Sequence, residues 1–144
     1  MSAMFHLTIV TPEKVICELD IRSLTVPGAE GYLGVLSQHA PLITSLKPGR
    51  IRFRDTDERL HIMAVTNGFL EVSNNVATLL ADAVERAQDI DIERARTARE
   101  RARQSLSAAR RGESDVDIAV TLAALARATN RIRIFEEASR KGST

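Results

Sequence analysis

The chain has 144 residues, 44% of them hydrophobic and 27% charged, and a formal net charge of +1. That is the composition of a soluble globular protein, with room for one ordinary domain or a small domain with an appendage. No apolar run approaches the roughly 18 residues of a membrane-spanning helix. The start has the marks of neither a secretory signal nor an Arg-rich transit peptide, and the single cysteine, Cys17, excludes an internal disulfide and any multi-cysteine metal site.

The small net charge hides an uneven distribution. Residues 1–88 hold 8 basic and 10 acidic residues, whereas residues 89–144 hold 12 basic and 9 acidic ones, and 11 of those 12 are arginines. All four prolines (Pro12, Pro27, Pro41, Pro48) lie in the first third. The chain changes character near Gln88, which predicts two units, 1–88 and 89–144.

The first unit reads as strands. Met4–Val10 alternates Phe5, Leu7 and Ile9 with more polar neighbours, the period of a half-buried strand. Cys17 follows Val15 and Ile16 in an apolar run and is expected to be a buried small side chain. Further short runs occur at Lys14–Glu18, Ile21–Val26, Ile51–Arg54, Leu60–Val65, Phe69–Val72 and Val76–Leu80. In Arg50-Ile-Arg-Phe-Arg54 the three arginines point outward and Ile51 and Phe53 inward. Turn signals separate the runs at Pro27-Gly28, Pro48-Gly49, Asn67-Gly68 and Ser73-Asn-Asn75. Asn67-Gly68 is the best single hairpin signal, because both residue types tolerate positive φ. Many short strands with such turns indicate a sandwich or barrel.

The second unit reads as helices. From Asp91 to Arg111 there is no Pro or Gly, and Ala95, Ala98, Ala102, Leu106 and Ala109 form one narrow apolar stripe. Gly112 is a natural C-cap. Ser114-Asp-Val-Asp117 resembles a capping box opening a second helix, from about Asp115 to Arg140. Its predicted stripe is Ala119, Leu122, Ala123, Ala126, Ile132 and Phe135. A short turn between two helices makes an antiparallel hairpin. Its mostly alanine seam buries little area, at about 0.8 kcal/mol per CH₂, so the hairpin is expected to be marginal by itself and able to dock or extend. The predicted fold class is α+β, an N-terminal antiparallel β-sandwich followed by a C-terminal α-helical hairpin.

Catalytic chemistry has no visible basis. His6, His39 and His61 are scattered without ligand spacing. Ser37 stands near His39, but no nucleophile elbow accompanies them. The stretch Gly28-Ala-Glu-Gly31-Tyr-Leu-Gly34 lacks the Gly-Lys-Ser/Thr of a phosphate-binding loop, so its glycines are expected to serve tight turns. The chain reads as a non-enzyme.

Pro27-Gly-Ala-Glu-Gly-Tyr-Leu-Gly-Val-Leu-Ser-Gln-His-Ala-Pro-Leu42, followed by Leu46-Lys-Pro-Gly49, resembles the epsilon subunit of the bacterial F-type ATP synthase. Asn67-Gly-Phe-Leu-Glu-Val72 resembles the family's Gly-Gly-x-x-Glu-Val hairpin, and Thr78–Asp82 and the switch to Ala/Arg-rich helices follow in the family's order. The resemblance implies a sandwich of about ten strands and a helical hairpin. It implies a non-catalytic subunit of the rotating central stalk that couples ring rotation to ATP synthesis. Its partners would be the gamma subunit, the c-ring and the alpha/beta catalytic head. The helices would fold against the sandwich or extend into the head and inhibit ATP hydrolysis. No cofactor is required. The place implied is the cytoplasmic side of a bacterial inner membrane, held peripherally through the complex. By family position the turn Glu30-Gly31-Tyr32 faces the ring, and His39 lies near gamma or is a satisfied loop histidine.

Ile90-Asp-Ile-Glu-Arg-Ala95 resembles the I/L-D-x-x-R-A motif of those epsilon subunits that bind ATP, and Glu85, Arg101, Arg127 and Arg131 match further positions of that site. Independently, Arg94 and Arg101 share one face of the first helix, and Arg127 and Arg131 one face of the second. If those faces meet, four guanidiniums converge near Asp91, a setting for a polyphosphate. ATP thereby enters as a regulatory ligand at Glu85, Ile90, Asp91, Arg94, Ala95, Arg101, Arg127 and Arg131. Against this stands a plain reading, in which the arginines are a solvated helix face. A different function class is nucleic-acid binding through the Arg-rich helices, but these carry Phe135 as their one aromatic, and nine acidic residues dilute their field.

Overall fold

The computed structural model describes residues 3–141. Among them are nine strands: β1 (Phe5–Val10), β2 (Val15–Gly28), β3 (Gly31–Leu36), β4 (Leu42–Leu46), β5 (Gly49–Asp55), β6 (Leu60–Val65), β7 (Gly68–Ser73), β8 (Val76–Ala81) and β9 (Val84–Arg86). A 3-10 turn at Ala87–Asp89 leads into helices α1 (Ile92–Arg110) and α2 (Ile118–Lys141). The α+β order is as expected, with nine strands rather than about ten.

The strands pair in the order β1-β8-β7-β4-β2-β5-β6-β9, with β3 added to β2 and a second pairing of β1 with β2. The two runs expected at Lys14–Glu18 and Ile21–Val26 are one strand of 14 residues. No Gly or Pro interrupts it between them. Its first half pairs with β1 and its second with β3 and β5. The register shifts between Ile21 and Ser23, a bulge that bends β2 from one layer of the sandwich into the other. Pairing is antiparallel except between β1 and β8, which run parallel from His6 opposite Val76 to Val10 opposite Leu80. The main core lies between the layers and includes Leu7, Ile9, Ile21, Ile51, Leu70 and Leu79, each fully buried.

Two turn readings change. Asn67-Gly68 joins β6 to β7, but β6 pairs with β5 and β9 while β7 pairs with β4 and β8. The dipeptide is a corner between layers rather than a hairpin, and neither residue takes a positive φ. Gly68 is there for space: a Cβ would lie 2.0 Å from the Leu80 carbonyl oxygen. The tight hairpin is the next one. Ser73 faces Val76 across Asn74 and Asn75, whose φ values are 51° and 63°, a two-residue turn of the primed type. The stretch from Gly28 to Gly34 is also more than turns, since β3 begins at Gly31 and pairs along β2.

Alternation in β6 sends Met63 and Val65 into the sandwich core and Ile62 and Ala64 to the opposite face. There Ile62 and Ala64 meet Ala87, Ile90, Ile134 and Ala138 in a second cluster, flanked by Leu60 and Phe135. This cluster seats α2 on the sheet. Burying each of its isoleucines contributes roughly 1.5–3 kcal/mol, so docking does not rest on the alanine seam alone. Arg50 and Arg52 lie opposite Ala64 and Ile62 and are half-buried beneath the helix rather than solvated.

The Asp91 carboxylate caps α1 by accepting from the Arg94 N–H. At its other end Gly112, with φ 75°, donates to Ala109 O, and the Glu113 N–H donates to Ala108 O, the paired bonds of a Schellman cap. The second helix starts later than expected. Asp117 is its N-cap, accepting from the N–H groups of Ala119 and Val120, while Ser114 accepts only from Val116. The first half of the α2 stripe is rotated from the expected one, while Ile132 is buried and Phe135 packs on the second cluster as expected. Thr121, Ala128, Ile132, Ile134 and Ala138 are buried, and Ala119, Leu122, Ala123 and Ala126 are exposed. On α1, Ala95, Ala102 and Leu106 are buried and Ala98 is exposed.

Candidate functional site

A cavity of about 520 Å³ lies where the helical hairpin meets the sandwich. Ala64, Val65 and Val84 form its sheet wall, and Ala98, Ala124 and Ala128 its helix wall. Glu85, Arg127, Asn130 and Arg131 supply its polar groups. Small side chains on both helices leave this space open, which is a consequence of the alanine-rich sequence.

Glu85 stands on β9 and Arg131 on α2, and they form a bidentate pair. Arg131 Nε donates to Glu85 Oε1 at 2.8 Å, and Nη2 to Oε2 at 3.0 Å. Each side chain is about one-third exposed, at 32% and 33%, so the pair is partly screened by water. Asn130 Nδ2 donates to the Gly49 carbonyl at 3.0 Å, which ties α2 to the start of β5. Arg127 is exposed at the cavity wall.

Arg94 and Arg101 line a neighbouring groove with Glu93 and Thr97, and Ala98 is common to the groove and the cavity. The two same-face arginine pairs thus flank adjacent depressions. The other motif residues have structural roles. Ile90 is buried in the second cluster, Ala95 is fully buried, and Asp91 caps α1. The small side chain of Ala95 suits that fully buried place.

The predicted subunit-contact residues lie elsewhere. Glu30, Gly31 and Tyr32 are exposed at the β2–β3 hairpin, with Gly31 at φ 128°. The Tyr32 hydroxyl accepts from the Arg50 N–H at 3.0 Å. His39 sits in the loop after β3, half-buried, with Nδ1 2.7 Å from Ala40 O. Cys17 packs at the rim of the main core, where burial pushes its thiol pKa up. Sequence reasoning missed Asn130 and the sheet wall of the cavity. The signal for that wall was Leu60-His-Ile-Met-Ala-Val65, apolar at both parities and therefore buried on both faces.

The chain is similar to known proteins along its length. Residues 4–87 match the family model for the ATP synthase delta/epsilon chain, beta-sandwich domain, and residues 88–136 that for its long alpha-helix domain. The ATP synthase epsilon chain of Desulforamulus reducens is 43% identical over 136 residues, which are 94% of this chain and 100% of that one. The ATP synthase epsilon chain of Moorella thermoacetica is 43% identical over 131 residues, 91% of this chain and 96% of that one. Among solved structures, a chain of the Euglena gracilis mitochondrial ATP synthase superposes with a TM-score of 0.72 at 22% identity, over 98% of this chain and 82% of that one. At that identity the likeness is one of fold. Two family models in succession and relatives of this identity and coverage establish that the chain belongs to the ATP synthase delta/epsilon chain family.

Proposed function

We propose that this chain is the epsilon subunit of an F-type ATP synthase, a non-catalytic part of the central stalk. The observation that carries this reading is the unbroken succession of sandwich and helix-domain matches together with full-length relatives of that name. Its partners are the gamma subunit, the c-ring and the alpha/beta head, and it lies peripherally on the cytoplasmic side of a bacterial inner membrane. No described helix is long and apolar enough to cross a membrane. The sandwich, residues 1–88, makes the stalk and ring contacts, and residues 89–144 regulate hydrolysis by docking or extending. The nucleic-acid reading draws no support from the comparisons, and three of the eleven hairpin arginines are paired with carboxylates: Arg96 with Glu93, Arg111 with Glu113 and Arg131 with Glu85. Adding the chain to epsilon-depleted synthase tests the assignment. Restored ATP-driven proton pumping and co-elution with gamma are expected, and failure of both overturns it.

The cavity beside Arg131, together with the adjoining groove of Arg94 and Arg101, is where ATP would act on the helices. Its volume falls in the range of small-molecule sites, about 300–1,000 Å³. It joins apolar walls, which suit a purine, to guanidiniums, which suit phosphate. The residues present fit such a ligand on one condition, that Glu85 yield Arg131 to the phosphates. Ligand binding shifts the docked–extended balance only through a difference in affinity between the two states. Here the docked state alone holds Arg131 against Glu85 of β9 and sets Arg127 at the wall of the same cavity. Arg94→Ala and Arg127→Ala are each expected to weaken ATP binding about 10- to 150-fold, the worth of a charge-assisted bond. Arg110→Ala, at the far end of α1, should leave it unchanged. Calorimetry on the full chain decides: equal small losses in all three mean diffuse attraction without a site.

A further inference from the structure

Beyond the cavity, α2 is held to the sheet by a second set of groups. Glu137 Oε1 on α2 accepts from Arg50 Nη1 on β5. The same guanidinium lies 5.1 Å from the centre of the Tyr32 ring, within the range of a cation–π contact. The Arg50 backbone N–H donates to the Tyr32 hydroxyl at 3.0 Å. Gly49 makes that approach possible, because a Cβ there would stand 2.8 Å from the hydroxyl and 2.7 Å from Pro27 Cβ. Asn130 takes the Gly49 carbonyl from the helix side. The first two residues of β5 are therefore gripped from one direction by the β2–β3 hairpin and from the other by α2.

The ion pair at the centre of this grip is close to balance. Glu137 and Arg50 side chains are only 12% and 26% exposed. Glu137 Oε2 and Arg50 Nε are buried without a partner. Attraction in a buried pair is offset by lost hydration, and unpaired atoms deepen that loss. Undocking α2 would return both groups to water. A pair so poised is governed by whatever orients it, and Tyr32 orients Arg50 twice, through its ring and through its hydroxyl.

We propose that Tyr32, Arg50 and Glu137 form a clasp that couples the β2–β3 hairpin to the docking of α2. Tyr32 is the positioning residue. A displacement of the hairpin that withdraws Tyr32 loosens Arg50, and a loosened Arg50 releases the C-terminal half of α2. The clasp works without nucleotide, since none of the three residues lines the cavity beside Arg131.

A double-mutant cycle read by amide hydrogen exchange on the full chain tests the coupling. Tyr32→Phe keeps the ring and removes only the hydroxyl, and Glu137→Gln keeps the shape and removes the charge. Tyr32→Phe should speed exchange of residues 128–141 about 3- to 10-fold, the worth of one hydrogen bond. In the Glu137→Gln background it should change that exchange less than twofold, because the clasp is already open. Exchange in β7 and β8 should stay unaltered throughout. Equal acceleration in both backgrounds, or none in either, overturns the proposal. So does a parallel rise in β7 and β8, which would make Tyr32 a general stabiliser of the sandwich.

Discussion

Asp55 closes the β5–β6 hairpin with one carboxylate. Its Oδ1 accepts from the N–H groups of Asp57 and Arg59 at 2.9 and 3.0 Å, and its Oδ2 lies 2.9 Å from His61 Nε2. His61 in turn stacks on Phe53 with ring centres 4.5 Å apart. The hydrogen bond from His61, more than those from the backbone, holds the Asp55 pKa below its ordinary value. A carboxylate lowered on folding contributes stability that is complete above its unfolded pKa, about 3.9, and fades as pH falls through the folded value. Asp55→Asn should therefore lower the melting temperature at pH 7 and converge with the parent in acid. Melts across that range check it, and a constant gap down to the lowest pH would exclude this role. This bond was invisible in the sequence, where Asp55 and His61 stand six residues apart without a motif. Gly68 shows the converse case. The dipeptide Asn67-Gly68 was conspicuous, but the glycine serves a close backbone approach, and composition does not distinguish that from a positive φ.

Among the elements, α2 was legible as a helix but not in its orientation. In its first half Ala119, Leu122, Ala123 and Ala126 have helical spacing, and so do Thr121, Ala124 and Ala128. With alanine on both faces the contrast that normally selects one is weak. What selects it is the exposed back of β6, where Ile62 and Ala64 need a cover, and Ile134 with Ala138 supplies it. β3, β4 and β9 were unread because Gly31, Gly34 and the short apolar runs gave turn signals or too few alternations. Ile134→Ala should cost about 2–5 kcal/mol of docking, the price of a buried isoleucine cavity. Leu122→Ala, at a position 43% exposed, should change it by less than about 0.5 kcal/mol. Trypsin sensitivity at Arg133 reports the difference, and similar cleavage of both variants would mean that α2 is seated on another face.

At the scale of the whole molecule, the order of sandwich and helices was legible from the shift near Gln88, because all four prolines and five of the seven glycines lie before residue 69, whereas 11 of the 17 arginines lie after Gln88. How the helices sit on the sandwich was not, since the apolar residues at both parities of β6 do not say what covers its second face, and Arg50 and Arg52 give no sign in the sequence of lying under a helix. That contact sets the last prediction, for a chain ending at Gln88. Every buried member of the main core lies between Phe5 and Ala81, so the shortened chain should keep a cooperative unfolding transition. It also loses Ile90, Ile134 and Ala138 from above Ile62 and Ala64, and with them Glu137 from Arg50 and Arg131 from Glu85. A strip of β5 and β6 is then left uncovered, apolar at Ile62 and Ala64 and cationic at Arg50 and Arg52. The shortened sandwich should therefore bind a hydrophobic dye that the full chain does not, and should still join the stalk, since the residues proposed for that contact, Glu30, Gly31, Tyr32 and His39, all remain in it. Differential scanning calorimetry with dye titration reads both properties. A broad, non-cooperative melt would mean that the helices are part of one folding unit with the sheet. A cooperative melt without dye binding would mean that the strip re-covers itself when α2 is gone.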